Sequence, residues 1–384
     1  MSDILSIFLA WALTGALQVL AVPFLIPRFK DSLLDGGWAF GRLLLWLMMG
    51  LPIWILANFH LPVNTPLGVT FMIGIITALS LVVFLKKKNE ISTFLVDRWR
   101  IILADEIVFA VGFFFMCFVR MTGPEIIDLE KFMDVGLMNS YWRSPRLPVL
   151  DMWLAGSTMN YYTFGHFLGS VMSRIWAWQT IPYNYNLLLG FLVGLSLAHS
   201  FSLTTTFIAK VWEGGKKIWP ALVGGAVGSF LIVFGGNTQT IWYGIKNHGW
   251  KGYWYPDATR FIPNTIHEFP SYSFIVSDLH AHLWDIPIAL FLLALLFGWY
   301  RLVMVGARGR QLYLPAMGVG LLMGISVMTN AWDGAVYSLV LFACGVSLLI
   351  FRPERIKEIF ISYVIMAAVG LILSSTWWLH FDSI

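Results

Sequence analysis

Charge is scarce in this chain. Only 46 of its 384 residues, 12%, are Asp, Glu, Lys or Arg, about half of what a soluble chain carries. A surface so poor in charge cannot keep a chain of this length in water, which excludes a soluble globular fold. Cysteine is nearly absent, and Cys117 and Cys344 both sit in apolar runs. This excludes a disulfide scaffold and a cysteine-based metal cluster and predicts two buried thiols. No internal repeat, heptad or low-complexity tract is present, and the two halves do not mirror each other as transporter halves often do. The excess of 25 basic over 21 acidic residues is too small and too dispersed to suggest nucleic acid. In an apolar chain it reports orientation.

What is abundant is apolar sequence. The hydrophobic share is 58%, about 223 positions, and a helix needs about 20 of these to cross the hydrocarbon layer. Spanning runs lie at about 4 to 26, 38 to 57, 66 to 85, 101 to 119, 184 to 208, 218 to 236, 283 to 303, 311 to 329, 334 to 351 and 359 to 379. The fold class is therefore all-α: a polytopic integral membrane protein of about ten transmembrane helices, with membrane lipid as its constant partner. An eleventh segment, 162 to 178, carries His166 and Arg174 and reads as an interfacial or re-entrant helix. The first run follows Met-Ser-Asp without a basic stretch, so it is not read as a removable signal peptide.

Basic residues set the orientation. With the N-terminus outside, 17 of the 25 fall in cytoplasmic segments, and the other eight lie in two long outer segments, 120 to 183 and 237 to 282. This predicts a multi-pass protein of the cell membrane with an extracytoplasmic functional face, which also collects seven of the eight histidines, all but His199. Both long segments mix aromatics, prolines and ionisable groups, a composition that folds.

In the first segment Glu130 and Asp134 are four apart, so on a helix they share a face, with Val135, Leu137 and Met138 available to rest on the membrane. Two carboxylates at a low-dielectric boundary push each other's pKa values apart and can yield a base; the bland alternative is that Glu130 starts a helix and pairs with Lys131. Asp151 to Gly156 and Asn160 to His166, with Asp151, Asn160, Tyr161, Tyr162 and His166, form an aromatic, amide and imidazole cluster of the kind that binds sugars, or that merely forms an interfacial belt. The second segment offers Arg260, Glu268 and the alternating Asp278, His280 and His282. In extended backbone these three project to one side, where they could contact phosphate or hold a divalent metal, for which no fourth ligand is identifiable. Asn330, Trp332 and Asp333 form a third polar group, where Asp333 could equally cap a helix. Asp105 and Glu106 are assigned to a helix N-terminus. His199 is read as a satisfied core histidine.

Taken in order, Glu106, Arg120, Pro124, Glu130 to Asp134, Asp151 to Gly156, Asn160 to His166, Glu268-Phe-Pro270, Asp278 to His282 and Asn330 to Asp333 resemble the YYY-domain membrane proteins, a family named for a tyrosine triplet. The resemblance covers nearly the whole chain. Thr163 stands where the third tyrosine would be, and members are commonly longer, so this chain is expected to be a truncated version or a fragment. The outline is similar to the GT-C superfamily of glycosyltransferases. That resemblance implies an N-terminal three-helix segment, 1–100, and a GT-C-like core, 101–384, with a juxtamembrane helix lying on the membrane. It also implies direct sugar transfer from a polyprenyl-phosphate donor to an acceptor of unknown identity, with Glu130 or Asp134 as the base. Arg143, Arg146, Arg260, His280 and His282 are then candidates to hold the departing phosphate. The competing expectation is a transporter or flippase for a lipid-linked or sugar-like solute.

Overall fold

In an apolar solvent every backbone N–H and C=O must be satisfied locally, and the long apolar runs form helices accordingly. A computed structural model describes residues 2–160, 163–211 and 218–381. In chain order the helices are α1 (Asp3–Gln18), α2 (Val22–Phe29), α3 (Gly41–Asn58), α4 (Pro66–Met121), α5 (Lys131–Arg143), α6 (Phe164–Ile175), α7 (Ile181–Val211), α8 (Trp219–Phe234), α9 (Gln239–Lys246), α10 (Pro270–Val276), α11 (Ala281–Met304), α12 (Arg310–Thr329), α13 (Ala331–Phe351) and α14 (Ile356–Trp378). Among the described residues there is no strand, only one isolated bridge between Leu150 and Thr158. Tyr161 and Tyr162 lie outside the described residues.

Among the described residues seven helices are long and apolar enough to cross a membrane, or nine if the bent pairs α1–α2 (58°) and α8–α9 (75°) each form one span. The difference from the ten expected lies in α4. Its 56 residues contain both the 66–85 and the 101–119 runs, and residues 86–100, expected as a basic cytoplasmic loop, are helical. The reason is local: between Gly74 and Gly112 there is no glycine or proline to stop the helix, and Glu90 pairs with Lys87 one turn away at 3.0 Å. Residue 100, the expected domain boundary, lies within α4.

A straight helix of that length would run about 84 Å. Both ends of α4 are nevertheless tied to one layer. Asn64, just before it, donates through Nδ2 to the carbonyls of Tyr141 and Ser144 at the end of α5. Arg120, near its end, donates to Asn186 on α7, whose neighbour Tyr185 touches α5. The helix therefore folds back, and Lys87 is where its backbone leaves helical angles (φ −122°, ψ 15°). This also corrects the reading of Asp105 and Glu106. They lie deep inside α4, and Glu106 is held by a 2.6 Å bond from Arg42 and a 2.7 Å bond from the Trp38 indole.

At the centre stands α7. Within its apolar window 94% is buried inside the protein, against 17% for α4 and 22% for α13, whose uncovered apolar sides are left for lipid. α4 reaches α7 closely through small residues: a methyl on Gly194 would stand 2.9 Å from both the Phe109 carbonyl and its ring, and one on Gly190 would stand 2.5 Å from Cys117 Sγ. Small residues at such crossings let membrane helices pack by dispersion. His199, also on α7, is a core residue with its Nδ1 3.1 Å from the Pro287 carbonyl and its ring against Phe40, but it is only half satisfied, since its buried Nε2 has no hydrogen-bond partner among the described residues.

The 162–178 segment forms α6, too short to cross, yet it does not rest on a membrane surface. Every residue from Phe164 to Arg174 is buried. Its polar groups are met inside the protein: the Arg174 guanidinium donates to the carbonyls of Asn64, Tyr141, Trp142 and Ser170, and Trp46 of α3 donates to the Leu168 carbonyl. Val135, Leu137 and Met138 are likewise core residues rather than membrane contacts.

The close α4–α7 crossing predicts that Gly194→Val forces the helices apart and costs about 1–3 kcal/mol. Thermal unfolding in detergent should show a lowered midpoint, whereas Gly74→Val, which meets nothing within 4 Å, should leave it unchanged.

Candidate functional site

Helix α5 begins at Lys131, so Glu130 sits just before its first turn while Asp134 lies inside it. That single step separates the two carboxylates. Asp134 turns into the core and has no exposed surface. Its Oδ1 lies 3.1 Å from His166 Nε2 of α6, and its Oδ2 accepts from the Leu279 amide at 3.1 Å and the Tyr185 hydroxyl at 3.4 Å. The Leu279 amide is shared with the Tyr185 oxygen, and that hydroxyl also reaches the Ser277 carbonyl at 2.8 Å. A buried carboxylate is tolerated only when so surrounded by donors.

Glu130 faces outward, with 47% of its side chain exposed, and its Oε2 lies 3.6 Å from His280 Nδ1. On its other side His280 Nε2 is 3.8 Å from Glu268 and 3.7 Å from Asp278. Lys131 approaches Asp278 at 3.9 Å, so its partner is that residue and not Glu130. His282 stacks on His280 at 5.7 Å, and its Nε2 lies 2.9 Å from Ser273 Oγ and 3.9 Å from Glu268. Burial works against charge on the His280 ring, but the carboxylates of Asp278, Glu268, Asp134 and Glu130 outweigh it and raise its pKa to about 9. The ring is therefore an imidazolium at neutral pH, held among acids.

The two long segments thus meet at one place, where Glu130 and Asp134 of the first join Glu268, Asp278, His280 and His282 of the second. Other residues singled out from the sequence lie elsewhere. Arg146 donates to the His60 carbonyl and Arg143 is exposed at the end of α5. Arg260 donates within its own turn, to the Pro256 carbonyl and the Thr259 hydroxyl. Asp151 accepts from the amides of Trp153 and Leu154 and closes a turn. The Asn160 carbonyl accepts from Trp377, and Thr163, in the place of the third tyrosine, donates to the Met328 carbonyl. Asn330 donates to Asp333 at 2.9 Å, and Trp332 is exposed. Two contributors were missed, Tyr185 and Ser273; Asp285, also passed over, is buried away from the cluster against Ser326 and Asp333. Asp285 carried a signal, being an acid within an apolar run; a lone tyrosine or serine in such surroundings carries none. Among the described residues no group of three or more His, Cys, Asp or Glu side chains is arranged to hold a metal ion.

Residues 48–384 match the model of one protein family, described as uncharacterized membrane protein (DUF2298). The chain belongs to that family. No curated protein and no solved structure matches it. All six side chains of the cluster fall inside the stretch that this DUF2298 protein shares with its family.

Two predictions follow from the geometry of this DUF2298 protein. Replacing Asp134 by Ala takes away the carboxylate facing His166 Nε2 and leaves the Leu279 amide with only the Tyr185 oxygen, and should cost roughly 1–3 kcal/mol; detergent melting curves would register it. His280 binds its proton more tightly folded than unfolded, so its contribution to stability is fully present below about 6.5 and is lost as pH rises through about 9. His280→Gln should flatten the fall in melting temperature over that window, and an unaltered slope would show that another group titrates there.

Proposed function

We propose that this membrane protein is a glycosyltransferase that moves a sugar from a polyprenyl-phosphate carrier to an acceptor hydroxyl on the extracytoplasmic face, with Glu130 as the base. The observation that carries the proposal is the pairing of Glu130 with His280, residues 150 positions apart that come one from each long segment. A base must reach the proton it takes within about 2.6–3.2 Å. Glu130 has the exposure for this; Asp134, fully buried, is a positioning residue.

In the transfer the acceptor oxygen bonds to the anomeric carbon as the bond from that carbon to the phosphate oxygen breaks. The acceptor proton passes to Glu130 and the lipid phosphate leaves as an anion. His280, charged at neutral pH, supports the negative charge that develops on the leaving oxygen, while Glu268 and Asp278 hold its ring in place. The all-helical setting and the grouping of acids and imidazoles in a membrane protein support an enzyme over a passive scaffold, which would have no use for an exposed carboxylate beside an imidazolium.

The test is transfer of radiolabelled hexose from polyprenyl-phosphate-hexose in proteoliposomes, with membrane extract as the acceptor source. Glu130→Gln should slow transfer at least about 100-fold without lowering the melting temperature. Undiminished transfer by this variant would remove Glu130 as the base, and no transfer from any such donor by the wild type would remove the activity.

A further inference from the structure

Beside the acidic cluster the second long segment holds a cavity of about 570 Å³ lined by Gln239, Trp242, Lys246 and Asn247 of α9 and its flanks and by Phe261. We propose that this cavity binds the phosphate headgroup of a membrane lipid, with the lipid chain laid along the apolar face of α9. The inference does not rest on sugar transfer, and either could fail without the other.

Three observations point to an anionic amphiphile. First, the lining contains no carboxylate, and no ion pair among the described residues involves Lys246. Second, its remaining hydrogen-bonding capacity is mostly donor. Gln239 uses its oxygen to accept from Tyr253, which leaves its NH₂ for a ligand beside the Lys246 ammonium. Third, α9 turns 75° away from the membrane-spanning α8 and exposes Ile241 (60%), Trp242 (65%) and Ile245 (66%). These follow the i, i+1, i+4 spacing of one helical face. An amphipathic helix lying in the interface, with lysine at its polar edge, draws anionic headgroups by charge and acyl or prenyl chains by apolar area. Unlike the cluster around Glu130, Glu268 and Asp278, this lining sets no carboxylate beside the headgroup. The carboxylate-free cavity is where such a headgroup is stable.

The probe is decaprenyl phosphate, titrated into the detergent-solubilised full chain and read by native mass spectrometry. Lys246→Glu and Trp242→Ala should each weaken binding at least tenfold, while Lys88→Glu, the same charge reversal at an exposed lysine of α4, should bind as the wild type does. Lys246 and Trp242 are both exposed, and an unchanged melting temperature would confirm that the variants fold. Wild-type affinity in Lys246→Glu would overturn the proposal. So would equal binding of uncharged decaprenol, which would make the site a plain apolar groove, or displacement of the lipid by inorganic phosphate at the same concentration, which would make it a free-anion site.

Discussion

A carboxylate with no exposed surface has to be given donors, and the donors that meet Asp134 come from three different places: His166 on α6, Tyr185 on α7 and the Leu279 amide in the link between α10 and α11. One side chain therefore fixes α5 against the central helix, against the buried short helix and against the entry to α11. Its influence passes directly to the exposed chemistry. Leu279 precedes His280, so anchoring that amide sets where the imidazole projects. The Glu130 carbonyl accepts the Asp134 amide at 3.0 Å, so the same helix start places Glu130 opposite. Replacing any of these donors by an apolar group would leave charge in the core, which costs more than the bond itself is worth.

Much of the fold was legible because a membrane imposes a length. About twenty apolar residues are required per crossing, and the predicted runs are largely helical, although the 4–26 run is broken between α1 and α2. At 86–100 the expected loop shrinks to a single break at Lys87. Charge is not a helix breaker, lysine is a good helix former, and with no glycine or proline nearby the helix resumes at once. The burial of α6 was hidden for a related reason. His166 and Arg174 argue for water only if the protein cannot satisfy them, and here Asp134 meets His166 Nε2 while carbonyls of Asn64, Tyr141, Trp142 and Ser170 take the Arg174 terminal N–H groups.

The candidate site was legible in membership but not in role. The four-residue spacing of Glu130 and Asp134 implies a shared face only if both lie within the helix, and α5 begins between them. The alternation of Asp278, His280 and His282 did bring them together, although His280 and His282 belong to the start of α11 and the extended geometry covers only the residues before it. The arginines were assigned by chemical type. Nothing in the sequence says that Arg146 is engaged with the His60 carbonyl or Arg260 with its own turn. Tyr185 could not be found at all, since a phenol at the mouth of an apolar helix looks like any interfacial aromatic.

The acidic cluster and the basic cavity belong to one structural unit, and this bears on how they would act together. Asn237, at the cavity, donates to the Ala258 carbonyl; the His267 amide donates to Thr259; Ser271 donates to the Gly235 carbonyl. These bonds close the end of α8, the 255–259 turn and the start of α10 into a single body that carries Glu268 at its edge. The body is thus joined to His280 and His282 by Glu268 and Ser273. The Glu268 carboxylate that helps keep a proton on His280 is thus held by the same body that carries α9, and this is the structural link between the cavity and the cluster.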